Sequence, residues 1–311
     1  DKSALAMHYR ICDAMARTGE PAFRNQSLIL RDDPSGVTGN PCQESTLGDR
    51  STCNLGSIVM PRIRDLSHLE EVTRAAVQFL YNGSVKATYP TEQIAGNAAR
   101  ERRIGLGFMG LHEWMLLRGG RYGWTKELEN WLKVWREVSD DEADKYASRA
   151  GGNRPVVRRA VAPTGTISII AETSSGIEPI HCVAYKRRYL KGNSNFYQMV
   201  VDPTAKRMMD MGIKPVDIED AYSLSYDVER RLDTQAHVQE YVDQAISSTV
   251  NLPRYGSPGN NDSTKMAAIV AKYLPRLKGL TMYSDGARAG QPLVPIALEE
   301  AIEHRGVVFE E

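Results

Sequence analysis

Val156-Val157-Arg158-Arg159-Ala160-Val161-Ala162-Pro163-Thr164-Gly165-Thr166-Ile167-Ser168 reads as a buried strand, a turn and the start of an apolar helix. The run from Val156 to Ala162 is rich in β-branched residues and ends at a proline, as a strand does. Thr164-Gly165-Thr166 is turn chemistry, and Ile167 begins an apolar run. A strand that hands over to a helix through a short glycine turn is the unit of α/β architecture. Free N–H groups at such a helix start, with glycine permitting close approach, suit an anion such as a phosphate. The plain alternative is an ordinary helix start capped by a Thr or Ser hydroxyl.

The same alternation continues outward. Residues 3 to 17 read as a helix stopping at Gly19, and 25 to 39 as a polar loop. Thr52 to Met60 reads as a strand and 68 to 82 as an amphipathic helix. A helix over 125 to 149 carries Leu128, Trp131, Leu132, Trp135 and Val138 on one stripe. Another is expected over 233 to 249, with Val238, Val242, Ala245, Ile246 and Thr249 as its stripe. Residues 263 to 274 form a further helix that leads into a strand over Leu280 to Tyr283. No repeat, low-complexity segment or linker interrupts this order, so we expect a single α/β domain over 1–311 with parallel strand pairing.

Composition narrows the functions. Lys plus Arg equals Asp plus Glu at 39 each, so no net field draws nucleic acid or an anionic membrane. No run of 18 apolar residues exists, which argues against a transmembrane helix. Asp1 to Leu5 lacks the form of a signal peptide. The cysteines Cys12, Cys42, Cys53 and Cys182 form no Cys-x-x-Cys, and no histidine stands at metal-ligand spacing. We therefore expect free thiols, no metal site, and a cytoplasmic location.

Cys42 lies in a polar loop, Asn40-Pro41-Cys42-Gln43-Glu44. If that segment is extended, Asn40, Cys42 and Glu44 share a face and present an amide, a thiol and a base to one ligand. Cys53 follows in Thr52-Cys53-Asn54-Leu55-Gly56-Ser57-Ile58 and is placed to neighbour Cys42 across a hairpin-like loop. Packing is the simpler account of Cys12 and Cys182. Gly105-Leu106-Gly107-Phe108-Met109-Gly110 matches the dinucleotide fingerprint, but the charged run Ala98 to Arg103 stands where a buried strand is required.

Asn40 through Ile58 resembles the finger-loop region of ribonucleotide reductase large subunits. Thr18 to Pro21, Arg103 to Gly107, Ala162 to Ser168, Gly176 to Pro179, Ser247 to Pro253 and Lys278 to Arg288 resemble the same family in the same order. The family usually has Gly where this chain has Gln43, and Ser where it has Ala287. The resemblance implies the second half of a ten-stranded α/β barrel, the fold shared with glycyl-radical enzymes, with a central finger loop near 36–50. It implies reduction of ribonucleotides to 2′-deoxyribonucleotides. Cys42 then matches the thiyl radical position, Glu44 the base at the 3′-hydroxyl, Asn40 the amide that orients the sugar, and Cys53 one of two reducing thiols. Pro163, Thr164, Gly165, Thr166, Ile167 and Ser168 match the cradle for the substrate phosphates.

The second reducing cysteine belongs, in the family, to the first barrel half, so we expect a split or truncated reductase that needs an N-terminal partner half. An external, thioredoxin-like dithiol reductant is implied, and a homo-oligomer is compatible with the resemblance. Reductases served by a separate metal radical subunit resemble one another in two adjacent tyrosines on a late strand. Here Leu280-Thr281-Met282-Tyr283-Ser284 has one, which looks like the adenosylcobalamin-dependent class. The alternatives are a large subunit that uses a metal radical partner, and a reductase-like structural subunit without activity.

Overall fold

The computed structural model describes residues 2–287 and 293–310. Arg288, the last residue of the stretch begun by Lys278, lies outside them. α1 (Lys2–Thr18) ends where Gly19, at φ 78°, returns its N–H to the Met15 carbonyl, a left-handed cap that suits glycine. β1 (Phe23–Arg24) and α2 (Gln26–Asp32) follow, then the hairpin legs β2 (Thr38–Gly39) and β3 (Thr46–Leu47), and β4 (Asn54–Val59). α3 (Leu66–Lys86) and α4 (Glu92–Glu101) connect β4 to β5 (Ile104–Met109); α5 (Leu111–Leu116) and α6 (Lys126–Arg149) come after it.

The segment 157–161 runs beside β5 and leads into α7 (Gly165–Ile170). Next come the antiparallel pair β6 (Ala184–Lys191) and β7 (Ser194–Val201), then α8 (Pro203–Asp210), α9 (Ala221–Leu224) and α10 (Val228–Gln239). β8 (Thr249–Leu252), α11 (Ser263–Tyr273), β9 (Gly279–Ser284), β10 (Leu293–Pro295), α12 (Leu298–Glu303) and β11 (Val308–Glu310) complete the order.

Five parallel stretches form one arc. β4 pairs with β5 from Asn54↔Ile104 to Val59↔Met109. Leu106 then bridges Arg159, Val161 bridges Ile246, and β8 pairs with β9 from Thr249↔Thr281 to Leu252↔Ser284. The arc is open, with β1 antiparallel on the outer side of β9. Parallel strands need helical crossovers, and the intervening helices supply them.

Alternation along the strands sorts the faces. Val250, Leu252, Leu280 and Met282 pack with Cys12, Met15 and Ala16 of α1 and with α10 and α11. Ile58, Ile104, Leu106 and Phe108 pack against α3, α5 and α6, including Trp114 and Trp135. Thr249, Asn251 and Tyr283 point to the opposite face and line cavities. Gly107 is required by the crossing of strands: a Cβ there would lie 2.3 Å from the Ala160 carbonyl oxygen. Gly105 and Gly107 are thus interior residues of β5, and Gly110 alone stands at the turn, as the left-handed N-cap of α5 at φ 81°, so the three glycines do not form one loop after a strand.

Several expectations change. The helix 125–149 is present as α6, with Thr125 accepting from the Leu128 N–H at 3.1 Å. The polar stretch 25–39 contains α2, capped by Asn25 and anchored by buried Ile29. The helix expected over 233–249 stops at Gln239, and its supposed stripe continues into the strand β8. Val242, Ala245 and Ile246 are buried but by the sheet, so helical spacing persisted past the helix by coincidence of two buried elements. Parallel pairing holds for the arc alone: β10-β6-β7-β11 form a separate antiparallel sheet. No helix among the described residues is long and apolar enough to cross a membrane.

Candidate active site

The stretch 36–50, expected to be the finger loop, is a tight hairpin. Its legs β2 and β3 pair through Thr38↔Leu47 and Gly39↔Thr46. At its tip the Gln43 N–H donates to the Asn40 carbonyl at 2.9 Å, closing a β-turn. Asn at the first position and Pro41 at the second favour that turn. The segment is therefore not extended, and the shared face expected for Asn40, Cys42 and Glu44 is replaced by a turn. The turn nonetheless keeps Cys42 and Glu44 together. Cys42 is exposed at the tip, while Glu44 is only 2 % exposed. Partial burial and then the nearby Glu44 carboxylate hold the Cys42 thiol above its ordinary pKa. Glu44 Oε2 is buried without a hydrogen-bond partner, an arrangement that costs free energy unless something else completes it. Asn40 Oδ1 accepts from the Ser45 N–H at 3.1 Å, which ties the two legs.

The loop base is fixed by a fully buried cation. Arg103, one residue before β5, meets Asp33 at 2.6 Å and Glu101 at 2.7 Å and donates to the Thr46 carbonyl at 2.9 Å. It thereby grips the chain on both sides of the hairpin. Burial opposes the ionisation of Asp33, but the hydrogen bonds and charge of Arg103, with Thr46 and Ser35, hold its carboxyl below the usual range. Gln244 ties the other side: its Oε1 accepts from the Thr46 N–H at 3.1 Å and its Nε2 donates to the Ile104 carbonyl at 3.0 Å. The Ala245 N–H donates to the Glu44 carbonyl at 2.9 Å.

Cys53 stands beside this glutamine, with its sulfur 3.6 Å from both side-chain atoms of Gln244, and it also meets the Ser45 side chain. Burial pushes its thiol up to about 12, so it rests protonated. Cys53 thus reaches the finger loop one residue from Glu44.

A cavity of about 450 Å³ opens at the ends of the central strands. Pro163, Gly165 and Ser168 line it together with Glu178, Ser247 and Asn251. The Glu44 carbonyl bonds Ala245, two residues before Ser247 of the cavity lining. Thr164, Gly165, Thr166 and Ile167 line a smaller space of about 260 Å³ with Leu55, Gly56 and Ser57. The six residues therefore divide between two openings. The capped-helix alternative does not hold: Thr164, at φ 58°, makes no side-chain cap, and its Oγ1 accepts from the Gly176 N–H at 2.8 Å. The first N–H groups of α7 are left without a capping hydroxyl, and a Cβ added at Gly165 would meet nothing within 4 Å. Ser168 is bonded to Ser175 at 2.9 Å.

The other sequence candidates fall as follows. Cys12 is buried in the α1 packing, and burial raises its thiol to about 11. Cys182 donates to the Ala184 carbonyl at 3.2 Å, and burial raises it to about 12. Both are packing residues. Tyr283 borders a cavity of about 210 Å³ with His181, Tyr222 and Asp285, so it faces a cavity and not the helix-covered core. Asp33 and Gln244 were not singled out from the sequence, and Arg103 and Glu178 lay inside stretches that resemble the family but were given no role. Glu178 accepts from the Thr249 N–H at 2.7 Å and pairs with buried Arg231 at 2.6 Å. A charged residue directly before an apolar strand, as at Arg103-Ile104, was the available signal.

The family described as Ribonucleotide reductase, barrel domain, matches residues 2–133 and 125–283. A vitamin B12-dependent ribonucleoside-diphosphate reductase of Mycobacterium tuberculosis is 30% identical over 91% of this chain and 47% of its own length. One of Thermoplasma acidophilum is 28% identical over 91% of this chain and 43% of its own. A crystal structure of a B-12 dependent, class II ribonucleotide reductase superposes with a TM-score of 0.79 at 18% identity, covering 97% of this chain and 48% of that one. The chain spans about half the length of the relatives it matches.

Proposed function

Because the chain belongs to the ribonucleotide reductase barrel-domain family, we propose that it carries the radical half of the site that reduces ribonucleotides to 2′-deoxyribonucleotides. One observation carries the reading: an exposed thiol on a tight turn stands beside a buried carboxylate oxygen that lacks a partner. A structural subunit has no use for that pair. Residues 1–311 act in this reading as one domain, the finger loop and second half of the barrel, with the first half supplied elsewhere in the same chain or by another. The open arc of five parallel stretches supports that requirement.

The 2′-carbon of a ribose is not activated toward displacement of its hydroxyl, so a hydrogen atom must first leave the 3′-carbon. Cys42, as a thiyl radical, takes that atom. Glu44 Oε2 takes the proton of the 3′-hydroxyl, and the 2′-hydroxyl, given a proton by one of the two reducing thiols, departs as water. Asn40 orients the sugar hydroxyls. Cys53 supplies one of the two reducing thiols, and an external, thioredoxin-like dithiol restores them. Cys53 is suited to hydrogen-atom donation because burial keeps its sulfur protonated. The turn 163–168 receives the phosphates at the uncapped start of α7, beside the cavity of about 450 Å³.

Adenosylcobalamin fits the site on one structural test, since the Cys42 sulfur is open at the loop tip to a large group approaching from outside. The surface around exposed Pro41 and Cys42 would receive it, and when bound it supplies a radical through cleavage of its cobalt–carbon bond. The single tyrosine of β9 and the B12-dependent relatives support this class over one with a metal radical subunit. The location is proposed to be cytoplasmic. The test is to combine this chain with the remaining barrel half, adenosylcobalamin, a dithiol and ribonucleotides, and to assay deoxynucleotide. Product is expected from the native chain and none from Cys42→Ala at an unchanged unfolding midpoint. Equal product from both would overturn the mechanism.

A further inference from the structure

Gln43 follows the radical cysteine and has φ 66°, a left-handed conformation that glycine adopts freely and a long side chain does not. Its side chain is held at both ends. Nε2 donates to the Asn40 carbonyl at 2.9 Å, and Oε1 accepts from Arg24 Nη1 at 3.0 Å. The same guanidinium donates through Nη2 to the Thr38 carbonyl at 2.7 Å and through Nε to Gln26 Oε1 at 3.1 Å. Arg24 is itself in register with Gly279 on β9. Room for this contact is left by Gly39, where a Cβ would lie 2.6 Å from Arg24 Nη1 and 3.1 Å from Gln43 Oε1.

We propose that Arg24 and Gln43 form a pin that fastens the Cys42 turn to the end of β9 and so sets where the thiol points. Both are positioning residues, since neither needs to touch substrate. The pin bonds the tip through Gln43 and the outgoing leg through Thr38, so it resists both twisting of the turn and lifting of the hairpin. A charge-assisted bond from Arg24 makes it stronger than a neutral pair. The proposal rests on the reading of Cys42 as the reacting thiol.

The test uses the full chain and two variants. Gln43→Gly keeps the backbone conformation and loses the side chain; Arg24→Met keeps Gln43 and releases it. Amide exchange over 38–47 and the pH profile of Cys42 alkylation by iodoacetamide, resolved by peptide mass spectrometry, are measured for each. Exchange at the Gln43 and Ser45 amides is expected to rise about tenfold, the scale of losing one or two net hydrogen bonds. The alkylation midpoint of Cys42 is expected to move down as the thiol leaves Glu44, with exchange in α6 unchanged. Wild-type protection and an unmoved profile in either variant overturn the pin, as does exchange that rises equally in α6. Loss of the radical reading would show separately, as product formation by Cys42→Ala, and would leave the exchange result standing.

Discussion

Replacing Arg103 with methionine keeps most of the side chain's volume and removes its charge. The guanidinium is fully buried, Asp33 is 1 % exposed and Glu101 10 %, so the variant strands two carboxylates with little solvent to take them. Breaking a buried pair by deleting one partner costs about 3–5 kcal/mol. The pH dependence has a definite sign. Burial opposes ionisation of both acids, but Arg103, with Thr46 and Ser35 on Asp33 and Ser51 on Glu101, keeps both below their ordinary pKa. A carboxyl depressed in the folded state stabilises above its unfolded pKa of about 4, and that contribution is lost as pH falls through the folded value. Urea unfolding of native and variant chains should therefore differ most near neutrality and converge below about pH 4. A difference under about 1 kcal/mol, or one of constant size from pH 7 to pH 3, would refute the claim that Arg103 holds the loop base electrostatically.

Two further outcomes are expected. Cys53→Ser, with Cys42 intact, should limit the reconstituted enzyme to about one turnover per site, because the hydroxyl cannot supply the reducing hydrogen; sustained deoxynucleotide release with thioredoxin would contradict the role of Cys53. Gly107→Ala should destabilise the chain by more than about 2 kcal/mol, since its Cβ would sit 2.3 Å from the Ala160 carbonyl; an unchanged urea midpoint would show that the 157–161 stretch moves easily.

Much of the arc was legible in the residues. The turn from a β-branched run into Pro163-Thr164-Gly165 marked a strand-to-helix joint, and the Leu128/Trp131/Trp135 stripe marked α6, because each pattern reports a single burial environment. The misread places are those where two environments meet. Val242 to Thr249 kept helical spacing while passing into a strand. Gln26 to Asp32 looked like loop because its polar residues outnumber the one buried anchor, Ile29. At the site, the residue types of Asn40, Cys42 and Glu44 were readable, but their geometry was not. Asn40-Pro41 permits a turn or an extended run, and only the Gln43 N–H to Asn40 bond decides. The roles of Arg103 and Gln244 were not legible because their partners, Asp33 and Thr46, lie far away along the chain and close only in the folded state.

The two ends of the arc are unequal. On one side β9 is already covered by the two-residue β1, too short to template another strand, and it carries the engaged Arg24. On the other, β4 pairs with β5 alone among the described residues, leaving the alternate backbone groups on its far edge without a strand partner there. Unpaired strand edges are where further strands add, so in the proposed reading the β4 edge is where a strand of the first barrel half would join the arc.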